Sequence, residues 1–227
     1  MKPLLNLLIA GTVTLSSIAK SEIVDISKYP KTIQLACIGD SITQGAGADP
    51  GKSYPSQLQI LLGPKWDVRN VGLSGRTLLK KGDFPYWNEQ YYKEALAKLP
   101  DVVIIMLGTN DTKPQNWVHS DEFLSDYKEL IESFKNLSSH PQIYICRPCP
   151  VFGAGNYGIT EANIQKEIPM IDQIAREENV QVIDMHKPLE SKPQMIPDMV
   201  HPNNAGAAVM AATAFQALTG KTPNALP

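Results

Sequence analysis

The chain has 227 residues, a formal net charge of −2 at pH 7 and a pI of about 6.1. This length is enough to bury the core of one domain, and no shift in composition indicates a second. Because there is no excess of basic residues, the sequence argues against nucleic acid as a partner.

The N-terminus has the layout of a secretory signal peptide. It begins with a positive charge, continues with an apolar run over residues 4–18 and ends in the small-residue site Ser17-Ile18-Ala19. We expect cleavage after Ala19, which leaves residues 20–227 as a secreted or periplasmic domain. A membrane anchor is the alternative, but the run is shorter than the roughly 20 residues of a span. We therefore expect no membrane span in the mature chain.

Five short apolar runs predict buried strands, and amphipathic stretches that predict helices alternate with them. The predicted strands are Ile33–Ile38, Trp66–Val71, Val102–Leu107, Ile143–Cys146 and Val180–Ile183. The predicted helices are Tyr54–Leu62, Glu89–Leu99, Asp121–Leu137, Glu161–Asn179 and Asn204–Leu218. Strict alternation of apolar strands with helices predicts a five-stranded parallel sheet covered on both faces, a three-layer α/β/α fold. Right-handed crossovers favour a flavodoxin-like strand order.

Small polar motifs follow several of the predicted strands. Gly39-Asp40-Ser41 ends the first strand, Asn70-Val71-Gly72 the second and Gly108-Thr109-Asn110-Asp111 the third. A loop after the fifth strand leads to Asp198-Met199-Val200-His201-Pro202. Because open α/β sheets bind ligands at the carboxyl edge of their parallel strands, we expect these motifs to converge there.

Ser41 is the candidate nucleophile at this edge. A serine hydroxyl needs a base to take its proton, and a carboxylate that orients the base. His201 has the best context for the base, with Asp198 three residues before it. The alternative is that Asp198 caps a turn and His201 lies at the surface. The remaining histidines are interpreted as surface, capping or minor site residues: His119, His140 and His186.

Ester hydrolysis also needs hydrogen-bond donors for the oxyanion that develops on the carbonyl oxygen. Gly72 could offer its backbone N–H, Asn110 its side-chain amide and Ser41 its own N–H. Taken alone, Gly72 and Asn110 are equally well explained as turn residues. Their combination with a nucleophile and an Asp–His pair at separate strand ends favours a catalytic site.

These four motifs resemble the blocks of the SGNH/GDSL hydrolase family over roughly residues 32–218. The resemblance implies Ser41 as nucleophile, His201 as base and Asp198 as the acid of the triad. It also implies that Ser41, Gly72 and Asn110 form the oxyanion hole, and that neither a metal nor a cofactor is needed. Many members have other residues where this chain has Met199-Val200, at positions that are not catalytic.

Other features of the sequence point to different chemistry. Gly51-Lys52-Ser53 looks like the end of a phosphate loop, but Ala46 stands where that motif needs glycine. Cys146-Arg-Pro-Cys149 has redox-motif spacing, yet it ends a predicted strand, whereas a redox pair opens a helix. We therefore expect a structural disulfide or no bond between these two cysteines.

The family implies an acyl ester substrate without naming it, since its members hydrolyse lipids, thioesters and acetylated sugars. Export and polar or aromatic loop residues favour an O-acetyl group on a carbohydrate. The residues expected to contact a sugar are Arg76, Tyr86, Trp87, Asn116, Trp117 and Tyr157. A lysophospholipase or thioesterase is the alternative enzyme, and an exported glycan-binding module without turnover is the alternative from another class.

Overall fold

The computed structural model describes residues 22–225, so the predicted signal peptide lies outside the described residues. Five parallel strands form one sheet in the order β2-β1-β3-β4-β5, which confirms the predicted flavodoxin-like topology. The strands are β1 (Ile33–Gly39), β2 (Trp66–Gly72), β3 (Val102–Met106), β4 (Gln142–Arg147) and β5 (Gln181–Asp184).

Helices cover both faces of this sheet. They are α1 (Ser41–Gln44), α2 (Tyr54–Leu62), α3 (Gln90–Ala97), α4 (Pro114–Trp117), α5 (Phe123–Lys135), α6 (Glu161–Glu178) and α7 (Asn204–Thr219). The five longer helices were predicted, each to within two residues at either end. The four-residue helices α1 and α4 were not predicted, because one turn is too short to produce a periodic apolar pattern.

The two faces of the sheet belong to two separate apolar cores. In β1, Leu35 and Cys37 point into the core formed with α2 and α7. Ala36 and Ile38 point into the opposite core, which is formed with α3, α5 and α6. This alternation explains the largely apolar sequences of β1 and β3, since successive side chains of a strand point to opposite faces and both faces are buried there.

Strand register brings the carboxyl ends of β1, β2 and β3 to one level. Gly39, the last residue of β1, pairs with Gly72 on one side and Met106 on the other. The loops that follow these three strands therefore begin side by side. This shared edge is where the candidate site is found.

Two further predictions concern membranes and cysteines. Within residues 22–225, no helix has the length and apolarity needed to cross a bilayer. Cys146 and Cys149 are both buried with free thiols, and the Cys149 Sγ lies 3.6 Å from the Met210 Sδ. These two cysteines therefore act as small core residues in the structure.

Candidate active site

Ser41 lies at the start of α1, immediately after the sharp turn that ends β1. The Asp40 Oδ1 caps this helix by accepting the N–H of Ile42 at 2.9 Å. A Cβ on Gly39 would come within 2.0 Å of the Thr43 Oγ1, so the turn requires glycine. The sequence thus places a serine side chain at the carboxyl edge of the sheet through a tight, capped turn.

Asp198 and His201 lie in a short turn just before α7. One carboxylate oxygen of Asp198 accepts the N–H groups of Val200 and His201, at 3.0 and 2.6 Å. Met199, which lies between Asp198 and Val200 in the chain, adopts a left-handed backbone with φ of 77°. This turn holds the carboxylate beside the imidazole of the residue three positions later.

A continuous chain of hydrogen bonds joins these residues to Ser41. The Ser41 Oγ lies 2.9 Å from the His201 Nε2, and the His201 Nδ1 lies 2.7 Å from the Asp198 Oδ2. Partial burial of Asp198 opposes its ionisation, but the hydrogen bonds from His201 and Val200 outweigh it and lower its pKa. The carboxylate is therefore ionised at neutral pH and fixes the orientation of the ring.

The candidate oxyanion donors lie at the same edge and have internal partners. The Gly72 N–H donates to the Asn70 Oδ1 at 3.0 Å. The Asn110 Nδ2 donates to the Asp40 Oδ2 and to the Arg76 carbonyl, both at the long distance of 3.2 Å. The structure therefore gathers these residues at the site with their donors already engaged.

Two buried side chains support this edge in ways that the sequence analysis did not predict. The Asp111 carboxylate accepts the N–H groups of Leu78 and Leu79, at 3.0 and 2.6 Å. The Asn116 Nδ2 donates to the Asn110 carbonyl at 2.9 Å. Together they fix the loop after β2 to the turn that carries Asn110.

Glu167 was also missed, although the sequence contains a signal for it. It falls in the buried stripe of α6 that includes Ile164, Ile171 and Ile174, at helical spacing. Its side chain is fully buried, and neither carboxyl oxygen has a hydrogen-bond partner among the described residues. A Cβ on Gly108, just before the Asn110 turn, would lie 1.8 Å from its Oε1. This carboxyl group therefore packs directly beneath the turn.

Burial raises the pKa values of three carboxyl groups in this region. Desolvation raises the pKa of Asp40 to about 6 and that of Asp111 to about 7. Desolvation, and then the charges of Asp111 and Asp40, raise the pKa of Glu167 well above its usual value. These three buried carboxyl groups therefore bind protons more strongly than exposed carboxylates do.

The expectation of sugar contact is wrong for Tyr86 and Asn116, which are buried, whereas Arg76, Trp87 and Trp117 are half-buried and contact neighbouring residues of the protein. Tyr86 is fully buried and donates to the Val71 carbonyl, and Asn116 is 1% exposed. The Trp87 Nε1 donates to the Leu78 carbonyl, and Trp117 packs against Phe123. Arg76 forms an ion pair with Glu89 at 2.8 Å.

Tyr157 is the member of that set whose exposed ring lies beside His201. Its ring centroid is 5.5 Å from that of His201, with the two planes at 60°. The residue is 58% exposed. His186, by contrast, bonds Glu161 through its Nε2 at 2.8 Å and takes no part in the hydrogen-bond chain of Ser41.

Comparisons with known proteins agree with this architecture. Residues 37–209 match the GDSL-like lipase/acylhydrolase family. An acetylxylan esterase of Xylanibacter ruminicola is 40% identical over 200 residues, which cover 79% of this chain and 42% of that protein. A multidomain esterase of Ruminococcus flavefaciens is 26% identical over 80% of this chain and 28% of its own length. The chain thus spans less than half of either relative.

A solved structure gives the same fold at lower identity. The crystal structure of a carbohydrate acetylesterase family member from Sinorhizobium meliloti superposes with a TM-score of 0.68 and 20% identity. The match covers 83% of this chain and all of the other. The five-stranded α/β architecture is therefore one that the described chain shares with known hydrolases.

The raised pKa of Glu167 gives a testable dependence of stability on pH. Between its usual pKa near 4.5 and its raised value, the folded state holds a proton that the unfolded state has lost. Stability therefore falls as pH rises through this window, by up to about 1.4 kcal/mol per pH unit for one such group. We measure the free energy of unfolding in urea at pH 5 and pH 8. We expect it to fall less between these two pH values in Glu167→Gln than in wild type.

Glu94, exposed on α3, supplies the matched control, because Glu94→Gln removes a carboxyl group that is already in water. Equal losses of stability between pH 5 and pH 8 in wild type and Glu167→Gln would contradict the assignment. Asp40 and Asp111 remain in both proteins, so the two proteins differ by the titration of Glu167 and by its repulsion with these two carboxyl groups.

Proposed function

Because the chain belongs to the GDSL-like lipase/acylhydrolase family, we propose that it is a serine esterase that removes short acyl groups, chiefly acetyl, from carbohydrate. The observation that carries this proposal is the hydrogen-bond chain from Ser41 through His201 to Asp198. A serine at the carboxyl edge, a base in contact with it and a carboxylate behind the base are what acyl transfer requires.

In the proposed reaction, His201 takes the proton of the Ser41 hydroxyl through its Nε2 while the Oγ attacks the ester carbonyl. Asp198 accepts the Nδ1–H, which keeps the Nε2 lone pair facing Ser41 and stabilises the imidazolium that forms. His201 then gives the proton to the leaving alcohol. Water, activated by the same base, releases the acid from the seryl ester.

The oxyanion is held by the N–H groups of Ser41 and Gly72 and by the Asn110 amide. The charged oxyanion is a stronger acceptor than the Asn70 amide oxygen that Gly72 contacts and the Arg76 carbonyl that Asn110 contacts in the free protein. One N–H of Asn110 keeps its bond to Asp40, while the other turns from the Arg76 carbonyl to the oxyanion. Asp40 thereby aims the amide without touching the substrate.

The choice of a carbohydrate acetyl ester is supported by the relatives. The acetylxylan esterase is 40% identical to this chain over 79% of its length. We also propose that residues 1–19 direct export, which would bring the enzyme to polymeric glycans outside the cytoplasm. The positive charge at the start of this segment and the apolar run that follows are the pattern of a signal peptide.

Ser41→Ala tests the nucleophile. We expect acetate release from acetylated xylan to fall to background, since no other group on this path can form the acyl-enzyme. The melting temperature should stay close to that of wild type, because the half-buried hydroxyl contributes one hydrogen bond. A folded wild type that hydrolyses neither acetylated xylan nor p-nitrophenyl acetate would contradict the esterase. A rate that rises from acetate to octanoate esters would instead favour lipids.

Asn110→Ala tests the oxyanion hole. Removal of one donor should lower kcat by about 10²–10³, the usual contribution of such a group. Asn136, exposed at the end of α5, is the matched control, and Asn136→Ala should leave kcat unchanged. A loss in Asn110→Ala of less than about threefold would remove Asn110 from the oxyanion hole.

A further inference from the structure

The loop over residues 151–160 holds Tyr157 against the segment that carries Asp198 and His201. The Phe152 N–H donates to the Met199 carbonyl at 3.0 Å, and the Asn156 Nδ2 donates to the Asp198 carbonyl at 3.2 Å. The Tyr157 N–H in turn donates to the Asn156 Oδ1 at 2.9 Å. The position of the tyrosine is therefore tied to the backbone of Asp198 and Met199.

The backbone at Tyr157 would suit glycine better than tyrosine. Its φ is 54°, and the other positive φ values in this loop belong to Gly153, Gly155 and Gly158. A residue with a bulky side chain is strained in the left-handed region of backbone conformation. Such strain is concentrated at functional sites, so it suggests a function for the side chain. Here that side chain is 58% exposed, so burial in the core does not account for it.

The chemistry of the proposed reaction identifies what would meet this ring. In Ser–His catalysis the imidazole returns its proton to the leaving group, so the leaving alcohol lies at the His201 Nε2. For a carbohydrate ester, that alcohol is the sugar itself. The Tyr157 ring centroid is 5.5 Å from the imidazole centroid, which places the ring within reach of a sugar held at the Nε2. An aromatic ring offers apolar surface to the C–H face of a pyranose.

We propose that Tyr157 forms a subsite for the sugar ring that carries the acyl group, an inference that rests on the proposed esterase function. The ring contacts the leaving sugar and selects carbohydrate esters over esters of small alcohols. Because the sugar is in place both before and during the reaction, the contact lowers KM and leaves kcat nearly unchanged. Tyr157 is thus a specificity residue and takes no part in proton transfer.

The test compares two substrates that share the acetyl group and differ in the alcohol. Acetate release is measured from an acetylated xylo-oligosaccharide and from ethyl acetate, for wild type, Tyr157→Gly, Tyr157→Ala and Tyr157→Phe. Tyr157→Gly is included because glycine accepts the backbone at φ of 54° without strain. Tyr91→Ala removes a tyrosine that is 41% exposed on α3 and serves as the matched control.

We expect Tyr157→Gly and Tyr157→Ala to lose about tenfold in kcat/KM on the oligosaccharide, mainly through a higher KM. This loss is at the low end of what the removal of one apolar contact costs. Ethyl acetate should be hydrolysed at nearly the wild-type rate by both. Tyr157→Phe should keep most of the preference because the ring remains, and Tyr91→Ala should match wild type.

Other outcomes overturn the subsite. An equal loss on both substrates would mean that the ring only orients His201, and an unchanged ratio would mean that the sugar does not contact it. A loss in Tyr157→Phe as large as that in Tyr157→Ala would assign the effect to the hydroxyl group. A wild type that releases acetate from neither substrate would refute the proposed function itself, which distinguishes that failure from the failure of the subsite.

Discussion

The buried carboxyl group of Asp40 connects the parts of the site that come from different strand ends. Its Oδ1 accepts the N–H of Ile42 and caps the helix that carries Ser41, while its Oδ2 accepts the Asn110 amide after β3. The residue is 1% exposed, so either bond could be lost only by leaving a buried polar group unpaired. The positions of Ser41 and Asn110 are therefore fixed by one common group.

Much of this arrangement can be predicted because a doubly wound sheet is buried on both faces. The buried strands β1 and β3 appear as largely apolar runs, and all five strands were located to within one residue at either end. The parallel sheet brings the carboxyl ends to one edge, so residues 160 positions apart, such as Ser41 and His201, could be expected to meet. The contact between them depends on the fold as a whole rather than on any local pattern.

The contacts of individual loop side chains could not be predicted in the same way. Tyr86 and Asn116 looked like exposed sugar ligands, but both are buried, since loop burial depends on elements distant in sequence. Asp111 is identified in the sequence only as a member of the polar motif after β3, yet its carboxylate accepts two N–H groups of the neighbouring loop. Glu167 is different, because an acid within the apolar stripe of a helix is visible in the sequence.

The account depends most directly on Ser41 being activated by its contact with His201. A fluorophosphonate reacts with such serines, and mass spectrometry of peptides from the treated protein locates the modification. We predict one label per chain, on Ser41, with labelling slowed by an acetylated xylo-oligosaccharide and much reduced in Asp198→Asn, where the ring loses its orienting carboxylate. A folded protein that stays unlabelled, or that is labelled at another serine, would contradict the account.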